Sequence, residues 1–250
     1  MYPTRPRSSL RTAVVWEVLR HALERRAAEA GRPVLDVLDT GGGTGNFAVP
    51  VARLGHRVTV VDPSPDALFA LERRAAEAGV TDLVRAVQGD IQTLPEAVDP
   101  ESADAVLCHG VLEYVDDPAE SLAQLAGVLR KGGVVSLLAA NRNGAVLARA
   151  IAGHFAEARQ ALEDQHGSWG AGDPVPRRFT GDELVALASG VGLHVASVHG
   201  VRIFSDLVPG VLVDTEPGAL EQLLALERAA AEDGAFHAIA TQLHLLCEVH

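Results

Sequence analysis

Short runs of apolar, mostly branched residues recur through the first 140 positions, each closed by glycine or polar residues: Val34–Leu38, Arg57–Asp62, Leu83–Gln88, Ala103–Cys108 and Val134–Ala140. Runs of this length suit buried parallel strands. Between them the apolar period lengthens to that of a helix. Ser64–Ala78 carries a serine N-cap, Pro65 in the first turn and Gly79 as C-cap. Asp117 and Pro118 open another helix, predicted to run to Arg130 and to close at Gly132-Gly133. Ahead of the first strand, Leu10–Ala30 reads as an amphipathic helix with Val14, Val15, Val18, Leu19, Ala22 and Leu23 as its stripe, ended by Gly31 and Pro33.

After Asn141 the alternation breaks. Ala145–Leu162 reads as a helix interrupted near Gly153, and Gln165–Arg178 is rich in glycine and proline. A helix over Asp182–Ser189, a strand over Leu193–Val201, a helix over Gly218–Ala231 and a last strand over Thr241–Val249 complete the pattern. The expectation is a doubly wound α/β fold with a mixed seven-stranded sheet, its last strand antiparallel. The chain divides into an amino-terminal helix or lid (1–32), a ligand-binding core (33–140), a helical cap inserted between strands five and six (141–180), and the rest of the sheet (181–250).

The first strand leads into Asp39-Thr40-Gly41-Gly42-Gly43-Thr44-Gly45-Asn46. Glycines here let the chain turn sharply and let a ligand approach the main chain. Pro50, shortly after the turn, reads as a kink or early stop. Counting from Gly41, the sixth place of a dinucleotide fingerprint is Asn46, and no Gly-Lys-Ser/Thr occurs, so neither a dinucleotide nor a P-loop pattern is present. The second strand ends in Asp62, an acid placed to accept two ribose hydroxyls. The loop and this acid together resemble class I methyltransferases, which bind S-adenosylmethionine.

Composition narrows the partners. The chain has 250 residues and a net charge of −12, against broad nucleic-acid binding. That charge is uneven: residues 1–32 hold seven arginines against three glutamates, and 205–250 hold eight acids against Arg228 alone. The apolar runs are too short to span a bilayer, and no signal peptide opens the chain. Cys108 and Cys247 form neither a disulfide framework nor a zinc pattern, which points to a reducing cytoplasm.

Methyl transfer from a sulfonium is an in-line displacement in which the protein mainly positions the nucleophile. The turn after strand four, Cys108-His109-Gly110, faces the cofactor's reactive end in this architecture; His109 is a candidate for contact there, for proton abstraction, or only for bracing the turn. His109 and Glu113 stand four apart, but a metal site needs a third ligand and none is evident. Arg142 and Arg202 follow strands five and six, placed either to grip a carboxylate or to pin a loop, for example through Asp206. Trp169 in the cap suits stacking on a base or plain packing.

Ser9-Leu10-Arg11, Leu38–Gly45, Cys108–Val115, Leu129–Leu137, Asn141–Gly144, Gly153–Phe155 and Gly200–Asp206 together resemble the bacterial tRNA carboxymethoxyuridine methyltransferases, in order and over most of the chain. The resemblance implies a Rossmann-like class I methyltransferase fold and esterification of a carboxylate on a modified wobble uridine of tRNA, with S-adenosylmethionine as cofactor. It implies cofactor contacts at Arg11, Gly41, Gly42, Asp62, Asp90, Ile91 and His109, with Asp90-Ile91 beside the adenine; Asp39 and Gly43 belong to the same loop. The chain departs from the family's pattern at Ala139-Ala140, Leu207 and Thr241–His244, where stacking and phosphate contacts would lie. Two other functions stay open: methylation of a small-molecule carboxylate or hydroxyl, and a non-catalytic, cofactor-binding regulatory subunit.

Overall fold

The computed structural model describes residues 6–249, with side chains from residue 12 onward. The strands are β1 (Asp36–Thr40), β2 (Arg57–Asp62), β3 (Val84–Gln88), β4 (Ala103–His109), β5 (Leu129–Ala140), β6 (His194–Val201) and β7 (Gln242–Glu248). They form one sheet in the order β3-β2-β1-β4-β5-β7-β6. The pairs β1–β2, β1–β4 and β2–β3 are parallel, with Asp39 opposite Val60 and Leu107. At one end of β5, Gly132 N–H donates to Val249 O; at the other, Asn141 N–H donates to Thr241 O. The start of β5 thus meets the end of β7, so the last strand runs antiparallel and the sheet is mixed.

The helices are α1 (Pro6–Glu29), α2 (Ala48–Arg53), α3 (Pro65–Ala78), α4 (Leu94–Ala97), α5 (Pro118–Gly127), α6 (Arg142–Ile151), α7 (Phe155–Glu163), α8 (Gly181–Gly190), α9 (Gly210–Thr215), α10 (Ala219–Ala231) and α11 (Gly234–His237). On α1 the expected stripe is buried at Val14, Val15, Leu19, Ala22 and Leu23, while Val18 is half-buried. The caps of α3 are as the sequence suggests: the Ser64 side chain accepts from Ala67 N–H, and Gly79 takes a left-handed conformation.

Packing divides the chain into two compact units. One joins Leu19–Leu137 and Ala186–Ala196 with the end of β7. At the amino-terminal edge of its strands, Asp104 is fully buried and gathers charge. It accepts from Arg32 at 2.6 Å, from Arg130 at 3.0 Å and from the Asp36 main-chain N–H at 2.9 Å. This network explains two shifts from expectation. Arg130 is drawn into β5, so α5 stops at Gly127 and the strand includes Gly132-Gly133 rather than starting after them. Asp36 opens β1, which runs to Thr40 instead of ending at Leu38. Pro50 does not end α2: it lies in the first turn, where no helical N–H is required of it, and Val51 N–H still reaches Phe47 O.

The other unit comprises Leu138–Val185 and Ser197–Leu245 with the start of α1. Helices α6 and α7 meet at Gly153, the break the sequence suggests. The loop after β6 is tied down by Glu227 of α10, a buried carboxylate that accepts from the main-chain N–H groups of Ile203, Phe204 and Ser205 at 2.7–2.9 Å. The short helix α9 has no counterpart in the sequence reading. Among the described residues no helix is long and apolar enough to cross a membrane.

Candidate functional site

The carboxyl ends of β1, β2, β3 and β4 surround a cleft of about 420 Å³. Its floor begins at the glycine turn. Thr40 ends β1 and its hydroxyl donates to Leu107 O at 2.9 Å, so the turn leaves from a fixed point. Gly41 takes φ +64 and its N–H donates to Val61 O at 2.7 Å; a Cβ there would stand 2.5 Å from Val111. A Cβ on Gly42 would meet the Asp39 carboxyl at 2.6 Å and Val60 at 2.9 Å. The two glycines therefore leave the main chain bare toward the cleft because a side chain has nowhere to go.

Asp39 and Asp62 face this turn from beneath. Asp39 is 2% exposed, and its pKa is raised to about 7, first by burial and then by the charge of Asp62, against a hydrogen bond from the Ala48 main chain. Asp62 lines the cleft at the end of β2. One of its oxygens accepts from Gly43 N–H at 2.8 Å and the other from Ser64 N–H at 2.9 Å. Each oxygen keeps a second lone pair, so the main chain aims the carboxylate without exhausting it.

On the opposite wall, Asp90 and Ile91 follow β3. Asp90 N–H donates to the Thr93 hydroxyl at 2.9 Å, and Thr93 N–H donates back to the Asp90 carboxylate at 3.0 Å. This reciprocal turn presents Ile91, 4% exposed, as an apolar surface in the cleft. Gly110, Val111 and Tyr114, after β4, complete the rim.

His109 stands behind that rim and is half-buried. Nε2 lies 2.8 Å from the Ser136 hydroxyl of β5, and the ring meets Phe47 edge-on at 4.5 Å between centroids. Burial pushes its pKa down to about 3, against a hydrogen bond to the Ser136 main chain. The imidazole is therefore neutral throughout the physiological range. Cys108 beside it is fully buried and its thiol is pushed up to about 12, so it is a packing residue.

The loop residues Asp39 and Gly41–Gly43 thus come together with Asp62, Asp90 and Ile91, and His109 backs the same cleft. The Arg11 side chain lies outside the described residues. Arg142 and Arg202 do follow β5 and β6, but each is engaged. Arg142 donates to Gln165 O at 2.6 Å and pairs with Glu183 at 3.0 Å. Arg202 takes φ +59, pairs with Asp206, and reaches Gln242 only at 3.5 Å. Trp169 is stacked between the guanidinium groups of Arg149 and Arg178, at 4.0 and 4.1 Å.

Three contributors were missed in the sequence. Arg74 of α3 donates to Thr44 O at 2.8 Å and to Asn46 at 2.9 Å, bracing the glycine turn. Thr93 closes the Asp90 turn. Ser136 was visible as the lone hydroxyl in the apolar run Val134–Ala140.

Comparison with known proteins agrees with this geometry. A methyltransferase domain family matches residues 38–137. A tRNA 5-carboxymethoxyuridine methyltransferase of Escherichia coli O157:H7 is 32% identical over 200 residues, 80% of this chain and 74% of the relative. A ubiquinone biosynthesis O-methyltransferase of Xanthomonas campestris is 34% identical over 52% of this chain and 54% of its own length. In fold, the chain is similar to a putative S-adenosylmethionine-dependent methyltransferase of Listeria monocytogenes, with a TM-score of 0.61 at 15% identity over 97% of this chain and 99% of that one. With a relative matched over most of both chains, and with its glycine turn and paired acids inside the matched domain, the chain belongs to the class I S-adenosylmethionine-dependent methyltransferases, resembles among them the tRNA carboxymethoxyuridine enzyme, and takes its methyl group from S-adenosylmethionine.

Proposed function

We propose that the enzyme esterifies the carboxylate of a carboxymethoxyuridine at the wobble position of tRNA, in a reducing cytoplasm. The observation that carries this reading is the His109 imidazole, whose pKa is pushed down to about 3. It is a poor base at neutral pH, so the site suits an acceptor that is already ionised. A free carboxylic acid, with a pKa of about 4, is such an acceptor. A hydroxyl would need its proton removed as it attacks. The named substrate of the E. coli relative supports the same choice.

S-adenosylmethionine supplies a methyl group already activated on a sulfonium, and the cleft fits it where the bare glycine main chain and the acids meet. In this reading the Asp62 carboxylate accepts the ribose hydroxyls, and Asp90 and Ile91 hold the adenine. Asp39 and Gly41–Gly43 bound the methionine end, with Arg11 as a further contact. His109 orients groups at the reactive end without titrating. The two candidates for gripping the acceptor's second oxygen are Arg142, held by Gln165 and Glu183, and Arg202, held by Asp206 and Gln242.

A small-molecule carboxylate or hydroxyl is the second reading, favoured by the net charge of −12 and by the ubiquinone-pathway relative. Incubation with labelled S-adenosylmethionine and tRNA bearing carboxymethoxyuridine should yield a base-labile methyl ester on that nucleoside, and its formation should fall steeply with salt. Absence of label on tRNA, with label on a small carboxylate or phenol, would replace the first reading by the second.

A further inference from the structure

We propose that Asp39 is the counter-charge for the cofactor's sulfonium: it keeps its proton beneath the glycine turn in the cofactor-free protein, gives it up when S-adenosylmethionine binds, and regains one once the methyl group has left. The proposal rests on the reading that lays the methionine end of the cofactor along that turn.

Two acids meet under the turn in unlike surroundings. Asp62, at the end of β2, lines the cleft and accepts from the main-chain N–H groups of Gly43 and Ser64 at 2.8 and 2.9 Å. Donors of that kind favour the ionised form. Asp39, within β1, is 2% exposed and has one main-chain donor, at Ala48 of α2. From β2 it faces Val60 and the charge of Asp62. From β4 it faces the Cys108 thiol, which is pushed up to about 12 and so carries no charge. Glu113, which acts on Cys108 from the turn after β4, is an acid again. Among the described residues no basic side chain pairs with Asp39 or Asp62. A carboxyl buried beside a like charge, with no cation to offset it, holds its proton. The Asp39 pKa, raised to about 7, agrees.

The carboxyl lies directly against the bare main chain of the turn. A Cβ on Gly42 would meet it at 2.6 Å, and Gly41, the preceding residue, lines the cleft. Asp39 therefore acts through a thin wall of backbone, by charge and not by contact. At about 6–8 Å and an effective dielectric constant of about 20, an opposite unit charge favours the ionised carboxylate about thirty- to a hundredfold. That is enough to leave Asp39 ionised at neutral pH once a cation is bound. S-adenosylmethionine carries a sulfonium beside its amino-acid zwitterion, whereas S-adenosylhomocysteine keeps only the zwitterion. Binding of the first thus sends the Asp39 proton to solvent. Loss of the methyl group removes the positive charge, and a proton from solvent returns to Asp39. A cleft built this way grips the charged cofactor and lets go of the neutral product.

Calorimetry of the cofactor-free protein, in buffers of different ionisation enthalpy, counts the protons exchanged on binding. At pH 6 wild type should release about 0.7 proton or more per S-adenosylmethionine, and much less per S-adenosylhomocysteine. Since a proton must leave, affinity for S-adenosylmethionine should strengthen about five- to tenfold from pH 6 to pH 7.5. Asp39→Asn has no proton to give. In it the release at pH 6 should vanish, and the preference for S-adenosylmethionine over S-adenosylhomocysteine should fall tenfold or more. Absence of release by wild type at pH 6 would overturn the proposal without any variant. Equal release with S-adenosylhomocysteine, or equal release by Asp39→Asn, would overturn it as well. Asp62→Ala tests the placement of the cofactor separately. If that variant loses affinity while wild type releases no proton, the placement stands and the proposal falls; if its affinity is unchanged, both fall. No acceptor enters these measurements, so failure of tRNA as acceptor would refute only the substrate reading.

Discussion

Replacing Asp39 by asparagine should make the cofactor-free protein more stable at alkaline pH while weakening its hold on S-adenosylmethionine. The Asp39 pKa is raised from 3.8 to about 7, mainly by burial and next by Asp62. A carboxyl shifted upward binds its proton more tightly in the folded chain than in the unfolded one. The corresponding stability is complete below about pH 4 and is lost as pH rises through about 7. At about 1.4 kcal/mol for each tenfold change in proton affinity, Asp39 costs the fold about 4 kcal/mol at pH 8, where the buried carboxyl is held ionised, and about 2 kcal/mol at pH 5.5, where folding must take up a proton. Asparagine carries no charge at either pH, and its amide oxygen can still accept from the Ala48 main chain. In a chain of this size 1 kcal/mol moves the melting temperature by about 2–4 °C. Asp39→Asn should therefore melt about 10 °C above wild type at pH 8, and about half that at pH 5.5. Thermal melts without cofactor over that range measure both numbers. A variant that melts no higher than wild type, or by the same margin at both values, would refute the account of Asp39 as a buried charge retained for binding.

Three further outcomes are expected. Asp62→Ala should weaken S-adenosylmethionine tenfold or more by calorimetry with the fold intact, since hydrogen bonds to a charged acceptor are worth about 1.5–3 kcal/mol each; unchanged affinity would remove Asp62 from the site. At saturating S-adenosylmethionine the methylation rate should show no basic limb that depends on His109, whose pKa is pushed down to about 3; a rising limb in wild type that disappears in His109→Ala would point to a hydroxyl acceptor. Glu227→Gln should destabilise the chain by about 3 kcal/mol or more, read from denaturant midpoints, because three main-chain N–H groups lose an ionised acceptor.

Much of the fold could be read from the chain because it is written locally. The α3 caps depend on residues within four positions of one another, Ser64 with Ala67 and Gly79 with Ala75. The branched runs recur at the spacing of parallel strands. Two misplaced boundaries have partners far away in sequence. Gly132-Gly133 looks like the end of a helix until Val249 supplies the strand opposite it. Arg130 looks like a last-turn helix residue until Asp36, 94 positions earlier, and Asp104 draw it into β5.

The site divides along the same line. Asp62 and the glycine turn were legible because a strand, its terminal acid and the following turn are contiguous, so position in sequence is position in the cleft. The chemistry of His109 was not legible, because its pKa depends on enclosure by Phe47 and Ser136 from two other segments. A histidine after a strand suggests a base near neutrality; the same histidine packed against Phe47 and Ser136 has its pKa pushed down to about 3. The places of Arg142 and Arg202 at strand ends suited either gripping a carboxylate or pinning a loop; the Arg202–Asp206 pair is the one named from the sequence, while Glu183, 41 positions from Arg142, was not visible. At Arg202 the resident carboxylate sits four residues along the chain, a spacing the sequence shows, but the loop that carries both is held down by Glu227, 22 and 23 positions from the main-chain N–H groups of Ser205 and Phe204, and no local pattern in the sequence records that restraint.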